Sequence, residues 1–120
     1  MARGISAMNV QVVKTVKTLE EARIAPTLRE GVSRRRLRLE GRMGVDEETC
    51  KTAVGRRIGL SPEFAGNLLR ALADDGLLAW MPQTKRYTVT EAGDKSLVSE
   101  FRRRGFTKGS VKTIIGKLSR

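Results

Sequence analysis

The fold is decided by the stretch Gly59-Leu-Ser-Pro-Glu-Phe-Ala-Gly-Asn-Leu-Leu-Arg-Ala-Leu-Ala-Asp-Asp-Gly-Leu-Leu-Ala-Trp80, with Met81-Pro-Gln-Thr-Lys-Arg-Tyr-Thr-Val-Thr90 behind it. Ser61 is suited to cap a helix, because its hydroxyl can accept from a free N–H of the first turn. Pro62 then falls at the first helical position, where a missing N–H costs nothing. Ala65, Leu68, Leu69 and Leu72 recur at helical spacing and line one face with apolar groups. Gly76 supplies the left-handed residue that ends a helix. Leu77 to Trp80 begins a strand, Met81 to Lys85 is a loop with Pro82 as turn former, and Arg86-Tyr-Thr-Val-Thr90 returns as a second strand.

Working toward the N-terminus, Asp46 caps a helix that runs to about Ile58. Glu47 and Glu48 lie in its first turn, where the helix dipole favours negative charge. Capping explains this acidic trio better than metal binding or acid–base chemistry. Cys50, Ala53, Val54 and Ile58 would face the core, and Lys51, Arg56 and Arg57 the solvent. Gly59 ends this helix, and Leu60 would plug the corner before the next. Toward the C-terminus, Thr90 caps a further helix from Glu91, with Leu97, Val98 and Phe101 on its apolar side. The tail holds a basic amphipathic segment, Ser110 to Leu118, striped by Val111, Ile114, Ile115 and Leu118.

The first 45 residues are less regular. Ile5, Met8, Val12, Val13, Val16 and Leu19 have helical spacing, with Gln11, Lys14, Lys17 and Glu20 on the opposite face. The helix is expected to stop near Arg23, before Pro26. Arg36-Leu37-Arg38-Leu39 alternates as a short half-buried strand does. That run reads either as a basic arm or edge strand against phosphates, or as a solvated charge run. The expected organisation is therefore an N-terminal helix and basic arm over 1–45, a core domain over 46–101 and a basic tail over 102–120. The fold class is mainly α with a small β-hairpin.

Composition narrows the partners. The 120 residues carry a net charge of +11 and 39% apolar residues, enough for one modest core. The excess charge is local. Residues 33–42 contribute +4 and residues 101–120 contribute +7, together the whole net charge. Such stretches call for an anionic partner, nucleic acid before membrane. One cysteine and no histidine rule out an internal disulfide and, in practice, a Cys/His zinc site. Cys50 has no histidine to activate it as a nucleophile. No apolar run is long enough to span a bilayer, and no signal-peptide core is present, so a cytoplasmic, nucleoid-associated location is expected. No enzyme motif is present, and neither a cofactor nor a metal is expected.

Val54-Gly-Arg-Arg-Ile-Gly-Leu-Ser61, Ala65, Leu68 to Leu72, Gly76-Leu77-Leu78 and Tyr87-Thr-Val-Thr-Glu-Ala-Gly93 together resemble the winged helix-turn-helix superfamily of DNA-binding regulators, over about residues 46–101. The Asp-Gly-Leu-Leu ending and the Thr-Glu-Ala-Gly run resemble its multidrug-resistance and phenolic-acid branches. The resemblance implies a winged helix-turn-helix with flanking N- and C-terminal helices. It further implies that the helix after the turn enters the major groove. Its outward positions would then be Pro62, Glu63, Gly66, Asn67 and Arg70, with Asn67 reading adenine and Arg70 reaching guanine or phosphate. The wing would bring Gln83, Thr84, Lys85 and Arg86 to the backbone or minor groove, and Ser61 could hold a phosphate oxygen.

This helix departs from the pattern in carrying Glu63, Asp74 and Asp75 against Arg70 alone. Affinity is therefore expected from Arg34, Arg35, Arg36, Arg38, Arg56, Arg57, Lys85, Arg86, Arg102, Arg103, Arg104, Lys108 and Lys112. The expected function is nucleic-acid binding, DNA before RNA, as a small transcriptional regulator or chromatin-associated protein. A homodimer could form through the flanking helices. The alternatives are a structural RNA-binding protein, ribosome-associated for example, and a winged-helix protein–protein adaptor.

Overall fold

The computed structural model describes the backbone of residues 6–103 and the side chains of residues 6–98. In chain order the elements are α1 (Ala7–Arg29), α2 (Arg34–Leu39), β1 (Val45–Asp46), α3 (Glu47–Ile58), α4 (Pro62–Asp74), β2 (Leu78–Met81), β3 (Arg86–Val89) and α5 (Glu91–Arg103). The architecture is mainly α, with a small antiparallel sheet of order β1-β3-β2. The candidate helix Ser110 to Leu118 lies outside the described residues.

α1 is the spine. Val12, Val13 and Val16 are wholly buried and meet Val54 and Cys50 of α3, Leu69 and Leu72 of α4, and Leu78 and Tyr87 of the sheet in one core. Ser6 caps the helix, its hydroxyl accepting from the Asn9 N–H at 3.1 Å. Helix formation does not stop near Arg23 as the proline suggests, but continues through Pro26 to Arg29. Pro26 leaves the Ala22 carbonyl without a helical partner, yet Ala22 is exposed and water can satisfy it. Burial of Ile24 and Leu28 against Leu37, Met43 and Val32 in a second small core holds the extra turns. Met8, expected in the core, is exposed.

Two further expectations change. Arg36 to Leu39 is helix, not strand. Ser33 caps α2 by accepting from the Arg36 N–H at 3.1 Å. Leu37 is buried, whereas Leu39 is 79% exposed, because residues two apart on a helix point to opposite sides. Glu20, expected on the solvent face, lies on the buried stripe Val12, Val16, Glu20, Ile24, and is only 2% exposed. Its carboxylate accepts from the Thr88 hydroxyl and lies near the backbone N–H groups of Gly44 and Val89. One side chain thus joins α1 to β3.

The remaining turns form as expected. Gly59 is left-handed at φ 72°, and the Leu60 N–H returns to the Gly55 carbonyl at 3.0 Å. Gly76 is left-handed at φ 81°, and the Leu77 N–H returns to the Leu72 carbonyl at 3.0 Å. Thr90 caps α5, accepting from the Gly93 N–H at 3.1 Å while donating to the Gly76 carbonyl at 2.6 Å. Lys17 of α1 pairs with Asp94 of α5 at 2.9 Å.

Burial raises the Glu20 pKa, outweighing the hydrogen bonds and Lys17 charge that lower it. A raised carboxylate pKa means that the fold binds the proton more tightly than the unfolded chain. Ionised Glu20 therefore costs stability at neutral pH, and that cost is relieved as pH falls through the raised folded value toward the ordinary one. Lowering the pH from about 7 to about 5 should stabilise the wild type relative to Glu20→Gln, measured by urea unfolding at both pH values. Glu20→Ala should lose about 1–2 kcal/mol, because the half-buried Thr88 hydroxyl loses its acceptor.

Candidate nucleic-acid interface

The solvent side of α4 is defined by what its other side buries. Ala65, Leu69 and Leu72 are at most 1% exposed, and the opposite stripe carries Glu63, Asn67, Arg70 and Asp74, all exposed. These four recur at three- and four-residue spacing and so share one face. Ser61 accepts from the Phe64 N–H at 3.2 Å, which leaves its own hydroxyl proton free to donate. Pro62 is exposed as expected, but Gly66 is buried.

Two glycines brace α4 against α3. A Cβ on Gly55 would come within 2.8 Å of the Leu60 carbonyl oxygen, and one on Gly66 within 2.9 Å of the Lys51 side chain. The first obstacle is backbone that cannot step aside, so the turn after α3 closes only over a glycine. Leu60 does not plug the corner. It is 39% exposed, and close backbone approach at Gly55 does that work.

The hairpin follows α4 directly. Trp80 pairs with Tyr87 and Met81 with Arg86, and the Trp80 and Tyr87 rings lie 4.8 Å apart in a tilted arrangement. Its loop ends in Lys85, the one non-glycine residue with positive φ, 55°, among the described residues. The Lys85 carbonyl accepts from the Glu47 N–H at 3.1 Å. The loop is thereby tied to the first turn of α3, which Asp46 caps through the Thr49 N–H at 3.0 Å. Hydrogen bonds from Thr49 hold the Asp46 carboxyl below its ordinary range. The acidic trio at 46–48 is thus accounted for by the cap and by ion pairs of Lys51 with Glu47 and Glu48.

The cations divide into two groups. Arg34 is bound to Glu21 at 2.6 Å, and Arg36 and Arg42 both hold Glu40 at 3.1 Å. Arrangements of that kind are already partly neutralised. Arg35, Arg38, Arg56, Arg57, Arg70, Lys85 and Arg86 form no ion pair with a described residue. Arg57 donates to the Gln11 side-chain oxygen at 3.0 Å. Arg56 and Arg57 are brought together with Lys14, Thr15 and Thr18 of α1 along an open groove of about 430 Å³. Sequence spacing alone does not single out Lys14, since its position depends on how α1 crosses α3. Arg102 and Arg103 lie in the last turn of α5, and Arg104, Lys108 and Lys112 lie outside the described residues.

Cys50 is fully buried, its thiol directed at the Val45 carbonyl at 3.6 Å, and burial pushes its pKa up to about 12. That environment suits packing rather than nucleophilic chemistry. Among the described residues, no cluster of carboxylate, histidine or cysteine side chains is arranged to hold a metal ion, and no helix is long and apolar enough to cross a membrane. Comparison with protein-family models, curated proteins and solved structures gives no match.

A left-handed lysine is strained by about 1 kcal/mol relative to glycine. Lys85→Gly should therefore raise the unfolding free energy by about that amount, while Lys85→Ala, with the same Cβ clash, should leave it nearly unchanged. Urea unfolding of the three proteins checks the order.

Proposed function

We propose that the chain is a nucleic-acid-binding protein of the winged helix-turn-helix kind, a small DNA-binding transcriptional regulator or chromatin-associated protein. The observation that carries this reading is the outward stripe of α4, Glu63, Asn67 and Arg70, on a helix braced by Gly55 and Gly66 and followed directly by a hairpin. A helix so presented can lie in the major groove with its N-terminal half over base edges. Asn67 matches the donor–acceptor pair of adenine and Arg70 that of guanine. Lys85 and Arg86 then reach the backbone beside it.

Attraction comes mainly from outside α4. Arg35 and Arg38 on α2 and Arg56 on α3 are exposed and form no ion pair with a described residue, so a phosphate need not displace a carboxylate to reach them. The cation-rich residues 101–120 add to this, since their +7 has no acidic residue to offset it. Association into a homodimer would double the number of cations facing a duplex. The competing reading is a structural RNA-binding protein. It draws on the acidic residues Glu63 and Asp74 flanking Arg70, which weaken phosphate contact by α4 itself.

Binding to mixed-sequence duplex DNA and to folded RNA at two salt concentrations separates these. For DNA, affinity should fall steeply with salt, and Arg56→Ala should reduce the salt slope by about one across all sequences. Asn67→Ala should instead relax discrimination at one base pair, by about 1–3 kcal/mol, with nonspecific affinity retained. Stronger binding to folded RNA at both salts would transfer the assignment to RNA. Failure to bind either polymer at moderate salt would end it.

A further inference from the structure

We infer that Phe64 reads the 5-methyl group of a thymine next to the base that Asn67 contacts. This rests on the reading that α4 enters the major groove of DNA.

Phe64 is a large apolar ring that the core does not take up. It is 46% exposed, while the core side of the same helix is already filled by Ala65, Leu69 and Leu72. Its backbone is fixed by the Ser61 cap, the hydroxyl accepting from the Phe64 N–H at 3.2 Å, so the ring is carried on a rigid first turn. Phe64 and Asn67 are three residues apart, and at about 100° per residue they stand about 60° apart around the axis, on the same side. The next residue along that side is Ala71, exposed and too small to shield either. Leu60, in the turn before α4, is 39% exposed. Among the described residues, the other large exposed apolar side chains, Met8, Leu39 and Trp80, belong to α1, α2 and β2.

Glu63 lies four residues before Asn67, on the same outward stripe. A carboxylate is repelled by phosphates but can accept from the cytosine N4 amino group. That stripe is therefore chemically suited to base edges, and Phe64 borders it beside Asn67. Thymine alone presents an apolar group in the major groove, and an exposed phenyl ring matches it.

The test removes only that methyl group. A mixed-sequence duplex is made with dT throughout and with dU throughout, and the substitution is then repeated one position at a time in the preferred duplex. The wild type should bind the dU duplex about fourfold more weakly, the loss expected for one buried methyl group. The effect should localise to a position adjacent to the base pair that Asn67→Ala relaxes. Phe64→Ala should bind dT and dU duplexes equally, and Phe64→Leu should keep part of the difference. Circular dichroism and low-salt nonspecific binding establish that both variants fold. Wild-type indifference to dU, or a dT/dU difference that survives in Phe64→Ala, would overturn the inference while leaving DNA binding intact. So would a Phe64→Ala variant that changes the solution mass without altering the dT/dU ratio. Absence of binding to any duplex removes the major-groove reading and this inference together.

Discussion

The structure depends on the buried stripe of α1. Val12, Val13 and Val16 sit at zero exposure, and α1 touches α3, α4, α5, β1 and β3. The other elements are short, and a helix of twelve or thirteen residues, like α3 and α4, is marginal alone in water. Their stability comes from docking on a common apolar face. Fully burying each valine contributes on the order of 1.5–3 kcal/mol. The same stripe admits one polar group, Glu20, and that exception fixes position where valine could not. A buried carboxylate that takes the Thr88 hydroxyl of β3 sets how far along α1 the sheet must sit. Apolar contact alone would tolerate sliding.

From Asp46 to Thr90 the sequence is readable because local chemistry and tertiary structure agree there. Asp46, Ser61 and Thr90 cap the helices they precede, and Gly59 and Gly76 take the left-handed conformation their positions demand. Elsewhere tertiary burial overrules a local signal. Pro26 should stop α1, but Ile24 and Leu28 have a second core to fill. The alternation of Arg36 to Leu39 imitates a strand, yet Ser33 caps a helix and only Leu37 is buried. The position of Glu20 is implicit in its four-residue step after Val16, but a step onto a charged residue ordinarily signals departure from the core. β1 has two residues, too few to leave any periodicity. The candidate site is legible as a set of residue types, Asn67, Arg70 and Lys85 among them. Which arginines are already occupied by Glu21 and Glu40 depends on the docking of α2, which spacing cannot reveal.

This sorting changes the meaning of the arginine-rich segment. As a run of five arginines within residues 33–42 it looks like one cationic arm. Folded, it is a short helix docked on α1 through Leu37, with part of its charge taken up by neighbouring carboxylates. Exposed ion pairs of this kind add little stability. Their larger effect is to orient Arg34 and Arg36 along the protein surface. Arg35 and Arg38, which have no such partner among the described residues, extend into solvent as the available cations. Net charge therefore overstates what α2 can offer an anion, and the distribution of partners is the better measure.

The hydrogen bond from the Glu47 N–H to the Lys85 carbonyl has a mechanical consequence. It ties the last residue of the hairpin loop to the first turn of α3. Rotating Lys85 out of the left-handed region would swing its carbonyl away and leave an amide of the first turn of α3 unpaired. That amide belongs to the helix that also carries Gly55, over whose missing Cβ the turn into α4 closes. A change of backbone at Lys85 therefore takes a partner from the start of α3, the helix against which α4 packs.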